Sequence, residues 1–357
     1  MDVSAKITGI KYTPFLCREL KVYDISNLED ALSKDSSFLI AISNREQIAL
    51  SWWVSPKRTR SYPYARVYDT LGYQTKRVTI IPILKDEGKE GDRDFLQWDT
   101  ISLMSLLGVY TIIAYYNDAE KSFKYKHKIT NQKFDISYLK EMINKLLIYH
   151  SDALHWNLEQ IKDVGKIAQT ALDMYEEISK KLQIEMHSKD SAQKRIKQLL
   201  KGKESFMMVS RNLAKKAQKR ESMTVQPKEK LSGLKATLTI ENYLGGYYYF
   251  TCDEVNIKKD NIYLIECKHS KQGPIPSLDD IKDGLLKMIL YTNLSEVKIG
   301  NREYSSIPVL KLTSDLKFSR DTLRKSEVDY LQKLKIEAEK NNFKVVINDK
   351  DLQEIDI

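Results

Sequence analysis

The residues best placed to do chemistry lie in YYYFTCDEVNIKKDNIYLIECKHS, residues 247–270. Asp253, Glu254, Glu266 and Lys268 sit there within two runs of aromatic and β-branched residues, where a carboxylate is costly to bury unless something compensates it. The break KKDN, 258–261, is turn-forming. With Lys259 and Asp260 as the two central residues of the turn, Asp253 lies directly opposite Glu266, their Cβ atoms about 5 Å apart. Alternate side chains of a strand share a face, so Glu266 and Lys268 point the same way, with Asp253 beside them. Glu254 and Cys267 then point to the other face; a one-residue slip would exchange Asp253 for Glu254. Two converging carboxylates repel unless a cation lies between them. Hard oxygen ligands suit Mg²⁺, with Mn²⁺ as a substitute, because that ion needs only one or two carboxylates besides phosphate oxygens and water. The main-chain carbonyl of Cys267 supplies a third ligand. Lys268 adds a positive charge able to orient or polarise a metal-bound water near a phosphate, and such a set performs metal-assisted phosphodiester hydrolysis. The alternative is an amphipathic edge hairpin with both carboxylates in solvent, which leaves the four aromatic residues leading into the acid pair unexplained.

Those residues need a sheet end to hold them. From residue 234 onward the pattern reads strand (KATLTIEN), tight turn, strand, turn, strand, helix, strand (SIPVLKLT), helix, strand (FKVVIN). The first of these helices has a clear start. Pro276 ends the preceding loop, Ser277 is the cap and Asp280 completes a capping box. Leu278, Ile281, Leu285, Met288 and Ile289 form one apolar face. Upstream, residues 1–135 read as a β-rich domain, with KITGIKY, SSFLIAIS, QIALSWWV, KRVTIIPIL and VYTIIAYY as strands. Residues 136–222 read as a helical, basic connecting region, and TVQPKEKLSG (224–233) as a domain entrance. The expected architecture is therefore α+β to α/β: a β-rich N-terminal domain (1–135), a helical middle (136–222), and a C-terminal α/β domain on a central mixed sheet (223–357).

The stretch CDEVNIKKDNIYLIECKHS resembles the PD-(D/E)XK nuclease signature: an Asp, a short hairpin, then Glu-x-Lys on the next strand. The flanking element order resembles that fold's core over about 203–350. The resemblance implies Asp253 and Glu266 as metal ligands and Lys268 as the catalytic lysine, with Cys252 where the motif has Pro. The helix that carries Gln-x-x-x-Tyr in some members reads DGLLKMILYTN here, with Lys287 and Tyr291 but no Gln. A further Glu on the first helix, found in many members, would be Glu221, with Glu241 behind it. Size and the absence of a GxxxxGK[ST] motif make the whole resemble a type II restriction endonuclease. That implies double-stranded DNA as substrate, a homodimer if cutting is palindromic, and a methyltransferase as a genetic partner. A repair or phage-type nuclease of the same superfamily, and a nucleic-acid-binding protein without catalysis, remain as alternatives.

Charge points the same way. The 357-residue chain has a net charge of +9. Residues 188–230 hold thirteen Lys/Arg against four Asp/Glu, a surplus equal to that of the entire chain. A concentrated basic surface implies a polyanion, nucleic acid first; a solvated helix face is the other reading. Lys215, Lys216, Lys219 and Arg220 are the candidate phosphate contacts. SWWVSPKRTRSYPYAR (51–66) interleaves rings with Arg58, Arg60 and Arg66, candidates for DNA contact; the alternative is two core tryptophans and an ordinary basic loop. The acidic run 86–94 reads as solvated, and His150, His155 and Asn157 as helix surface or packing. Three cysteines, two of them in expected strands, make no disulfide framework, and the start shows no signal peptide, so the cytoplasm is the expected location. The apolar run 95–116 is interrupted by Asp99 and Gln97, and its second half reads as a buried strand, so no membrane association is expected.

Overall fold

The computed structural model describes residues 1–43, 46–57, 62–199, 203–223, 234–243 and 246–356. It is a mixed α/β protein with ten α-helices among the described residues. The chain forms two compact units, one of Leu20–Arg211 and one of Met1–Glu19 with Asn212–Ile357. This differs from the boundaries expected at 135 and 222. The first strand, β1 (Asp2–Ile7), belongs to the C-terminal unit.

In the unit Leu20–Arg211, β2 (Val22–Asp24), β3 (Ser37–Ser43), β4 (Glu46–Trp52), β5 (Lys76–Pro82) and β8 (Tyr110–Ala114) make one sheet in the order β2-β3-β4-β5-β8. Only β3 and β4 pair antiparallel; the other three pairs are parallel. Parallel neighbours need crossovers, and short helices supply them: α1 (Leu28–Lys34), α2 (Pro63–Thr70) and α3 (Trp98–Leu106). The expected strands SSFLIAIS, QIALSWWV, KRVTIIPIL and VYTIIAYY therefore have counterparts in β3, β4, β5 and β8, whereas of KITGIKY only Lys6 and Ile7 are strand, at the end of β1, and the region is α/β rather than β-rich. α3 is buried at every residue, so it carries no amphipathic period to mark it as a helix. The strands β6 (Leu84–Asp86) and β7 (Arg93–Phe95) pair with each other, as do β9 (Tyr116–Lys121) and β10 (Ile129–Phe134). The helices α4 (Ile136–Leu147), α5 (Ala153–Lys162), α6 (Val164–Leu182) and α7 (Lys189–Leu199) fill the expected helical region.

The acidic run departs from expectation. Lys85, Asp86 and Glu87 are buried. Glu87 pairs with Lys85 at 2.8 Å and Lys128 at 3.2 Å, and Asp86 with His187 Nδ1 at 2.7 Å. Lys128 and His187, distant in the chain, join the neighbouring Lys85 around these carboxylates, which local sequence could not reveal, while Glu90 and Asp92 of the same run are exposed as expected. Asn157 is also structural, holding the main chain of Thr111 and Val109. His155 contacts its helix cap Asp152 at the surface.

In the C-terminal unit, helix α8 (Lys203–Met223), across which the two units divide, leads to β11 (Leu234–Asn242), β12 (Tyr247–Lys258) and β13 (Asn261–Ser270). Then follow α9 (Leu278–Tyr291), β14 (Ser295–Ile299), β15 (Arg302–Glu303), β16 (Ser305–Ser314), α10 (Lys325–Lys340), β17 (Lys344–Ile347) and β18 (Lys350–Asp351). The nine-stranded sheet runs β15-β14-β1-β11-β12-β13-β16-β17-β18. β11, β12 and β13 are an antiparallel meander; β16 is parallel to β13 after α9, and β17 is parallel to β16 after α10. β1 lies parallel to β11 and is the strand that ties β14 to the rest. No helix among the described residues is long and apolar enough to cross a membrane.

Candidate active site

The β12–β13 hairpin fixes the site. Its register runs from Lys258 opposite Asn261 to Glu254 opposite Ile265. Lys259, one of the two turn residues, has φ +56°, the left-handed conformation that a tight hairpin turn demands. Continued by one residue, this register puts Asp253 across from Glu266. The ladder stops short of that pair, and the Asp253 carboxylate takes the position instead: its Oδ2 accepts from the Cys267 main-chain N–H at 2.9 Å. A strand residue presents its N–H and C=O to the same side, so the Cys267 carbonyl is directed toward the Asp253 side as well.

Glu266 is 2 % exposed, and both its oxygens are engaged by lysines. Lys268 Nζ lies 3.1 Å from Oε1 and Lys287 Nζ 2.7 Å from Oε2. Lys268 also contacts Asp283 Oδ2 at 2.9 Å. Lys287 and Asp283 come from α9, which starts where its cap predicts: Ser277 Oγ accepts from the Asp280 N–H. α9 crosses β13 closely at Gly284, where a Cβ would come within 3.2 Å of Lys268 Cε. Asp283, Lys287 and Tyr291 succeed one another at four-residue steps and so line one helix face. Lys287 and Tyr291 stand where the sequence placed them on this helix; Asp283, one turn earlier, extends the same four-residue spacing and is the partner that the motif alone does not name. Tyr291 is fully buried.

The charges are tightly coupled. Burial pushes the Glu266 carboxyl up, but Lys287 and then Lys268 outweigh it and hold the carboxyl below its ordinary range. Burial likewise pulls Lys268 down, and Glu266 and Asp283 more than reverse it. Lys287 behaves the same way beside Glu266, well above the ordinary lysine value. Both lysines are thus held as cations at neutral pH. Cys252 is buried between the same carboxylates; burial first, then Asp253 and Glu266, push its thiol up to about 12. It is a neutral thiol and packs in the core.

Glu254 takes the opposite face, as the register requires. It is 1 % exposed, accepts from Asn256 Nδ2 at 3.0 Å and lies 3.9 Å from Lys311 Nζ. The remaining sequence candidates have other surroundings or lie outside the described residues. Glu241, on β11, accepts from Tyr247 OH at 3.2 Å. α8 includes residues 220 and 221, but the side chains of Arg220 and Glu221 lie outside the described residues, as do Arg58 and Arg60 entirely. Lys215, Lys216 and Lys219 are exposed on α8, and Lys215 stands 5.8 Å from the Tyr249 ring centroid. Arg66 lies 4.4 Å over the Trp52 ring and donates to the Trp52 carbonyl at 2.8 Å. Trp53 and Tyr64 are core residues, Trp52 carries this stack, and Tyr62 is exposed.

For a divalent metal, the donors brought together are the Asp253 and Glu266 carboxylates and the Cys267 carbonyl. No group of three or more His, Cys, Asp or Glu side chains able to hold a metal occurs among the described residues. Two carboxylates and a main-chain oxygen nonetheless suit Mg²⁺, which keeps water and phosphate oxygens for its other positions. An ion there competes with Lys287 for Glu266.

No family model, no curated protein and no solved structure matches this chain.

Proposed function

We propose that the chain is a Mg²⁺-dependent DNA endonuclease whose site is Asp253, Glu266 and Lys268. One observation carries the reading: Glu266 is almost fully buried yet ionised between Lys268 and Lys287, at the end of a hairpin whose other strand brings Asp253 to Cys267. An ion pair in that position is expensive as mere scaffolding, because desolvation offsets most of its attraction. The order α8, three antiparallel strands, α9 and a parallel strand supports the PD-(D/E)XK resemblance.

In this reading Asp253, Glu266 and the Cys267 carbonyl hold the ion, which when bound supplies an activated water and neutralises phosphate charge. Lys268, pinned by Glu266 and Asp283 with its side chain 16 % exposed, presents a preorganised ammonium to a phosphate oxygen. Lys287 holds Glu266 in orientation through its contact with Oε2. Duplex DNA is the substrate we favour and a type II restriction role the one we favour for it, acting in the cytoplasm and as a homodimer where the target is palindromic. The test is incubation of mixed-sequence duplex DNA with the protein in Mg²⁺, Mn²⁺ and EDTA, followed by sequencing of the ends. Fragments with a recurring end sequence in the metal arms only are the expected result; intact DNA in all arms, with binding retained, leaves the non-catalytic binder.

A further inference from the structure

The β9–β10 ribbon ends in KSFKYKHK, 121–128, which carries four lysines, one histidine and two rings without an acidic residue. The tip is rigidly built. Ser122 N–H donates to the Lys128 carbonyl at 2.9 Å and closes the loop. Glu90 grips His127 from both sides, accepting from its N–H at 2.6 Å and donating to its carbonyl at 3.1 Å. The Glu185 N–H donates to His127 Nδ1 at 3.1 Å. Gly88, at φ +88°, is what allows this approach, since a Cβ there would lie 2.5 Å from the His127 oxygen.

On that fixed base Phe123 is fully exposed and Tyr125 half so, with Lys128 5.7 Å from the Tyr125 ring centroid. Lys128 is paired with Glu87. Among the described residues Lys121, Lys124 and Lys126 have no carboxylate within ion-pair distance. The neighbouring acids face other partners: Glu120 accepts from Asn131 and Asp118 pairs with Lys181. A rigid tip with three uncompensated ammonium groups around an open aromatic face is complementary to a polyanion that also offers π-faces.

We infer that the 121–128 tip is a nucleic-acid contact, with Lys121, Lys124 and Lys126 on phosphates and Phe123 stacked on a base. A two-stranded ribbon fits a major groove about 12 Å wide, and an open ring is a stacking platform for an exposed base. A lipid surface is the poorer match, because membrane-surface elements bury a broad apolar face and here one ring is fully open. The inference takes its choice of partner from the proposed function but is independent of the cleavage chemistry.

The experiment is fluorescence anisotropy of the full chain in EDTA, with a labelled mixed-sequence duplex and its single strand, from 50 to 200 mM salt. The triple variant Lys121→Gln/Lys124→Gln/Lys126→Gln should flatten the log–log salt slope by up to about 2.7, at about 0.9 per duplex phosphate contact. Phe123→Ala should leave the slope unchanged and weaken binding about 5- to 150-fold, the loss expected of one base stack; the strand form that suffers the larger loss identifies the form in which the ring engages. Parental affinity and slope in both variants on both nucleic acids would overturn the inference, as would absence of binding by the parent. So would binding to phosphatidylserine vesicles that Phe123→Ala abolishes while nucleic-acid binding stays unchanged. Loss of cleavage in Asp253→Asn bears on the nuclease reading alone, and these EDTA measurements on the tip alone.

Discussion

At the scale of single residues, the carboxylates of the hairpin divide by face. Asp253 meets the Cys267 N–H, and Glu254 lies against Asn256 and Lys311 on the other side. Asp253→Asn keeps a side-chain acceptor for the Cys267 N–H and removes the charge, so it should abolish metal-dependent cleavage of a plasmid while leaving the unfolding midpoint close to the parent's. Glu254→Gln should retain most cleavage. The reverse pattern would place the metal on the opposite face. Glu266 is a poor choice for that test, because its substitution leaves Lys287 buried without its carboxylate and Lys268 with Asp283 alone. Glu266→Ala should cost about 3–5 kcal/mol in urea unfolding, and Glu266→Ala/Lys287→Met should recover part of it. The pH dependence follows from the directions of the shifts. The Glu266 pKa is lowered from 4.5 in the folded chain, so its contribution is complete above that unfolded value and is lost as pH falls through the lower one. The Lys287 pKa is raised from 10.5, so its contribution is complete below 10.5 and is lost only as pH rises through the raised value. Stability from the pair is therefore level across neutral pH and declines at both extremes. Glu266→Ala should remove the part of the acid-side decline that this carboxylate supplies, which a series of urea titrations from acid to neutral pH would read.

At the scale of elements, α9 and α8 carry what the strands cannot. α9 delivers Asp283 and Lys287 to the strand residues and is started by Ser277. Ser277→Ala should cost about 1 kcal/mol, seen as a fall of about 2–4 °C in the melting temperature of the unit. α8 shows a different division of labour. Gln218 is buried and donates to the carbonyls of Phe250 and Leu238, whereas Lys215, Lys216 and Lys219 are exposed. If those three meet phosphates, their joint replacement by Gln should flatten the salt slope of duplex binding by up to about 2.7 and change sequence preference little, because phosphates carry no base identity. An unchanged slope would return α8 to a solvated helix face.

At the scale of the whole chain, the C-terminal unit depends on residues nearly its full length away. β1 is the interior strand between β11 and β14, and Glu337 on α10 accepts from Tyr12 OH and from the N–H groups of Phe15 and Leu16. A fragment of residues 203–357 should thus expose two unpaired strand edges and aggregate, whereas the same fragment with residues 1–19 joined ahead of it by a flexible linker should stay monomeric and cooperative. Size-exclusion chromatography with thermal melts compares the two; equal behaviour would show β1 to be dispensable.

The sequence by itself determined what depends on neighbours in the chain. The turn at Lys259 and Asp260 set the hairpin register, and the two-residue period then assigned Glu266 with Lys268 to one face and Glu254 to the other. Ser277 and Asp280 set the start of α9, and runs such as KRVTIIPIL and SIPVLKLT marked their strands. Only the tertiary structure decided what depends on distant partners. Lys287 and Asp283 complete the charges around Glu266 across a helix–sheet crossing; Lys128 and His187 reach Glu87 and Asp86, the two buried acids of the run 86–94; β1 joins a sheet whose next strand begins at residue 234. Even the α/β character of residues 20–135 was settled there, because a helix buried on every side, such as α3, has no periodic polar face to announce it. Local pattern fixes which face a side chain takes, but desolvation and charge compensation are set by whichever groups the folded chain brings to that face.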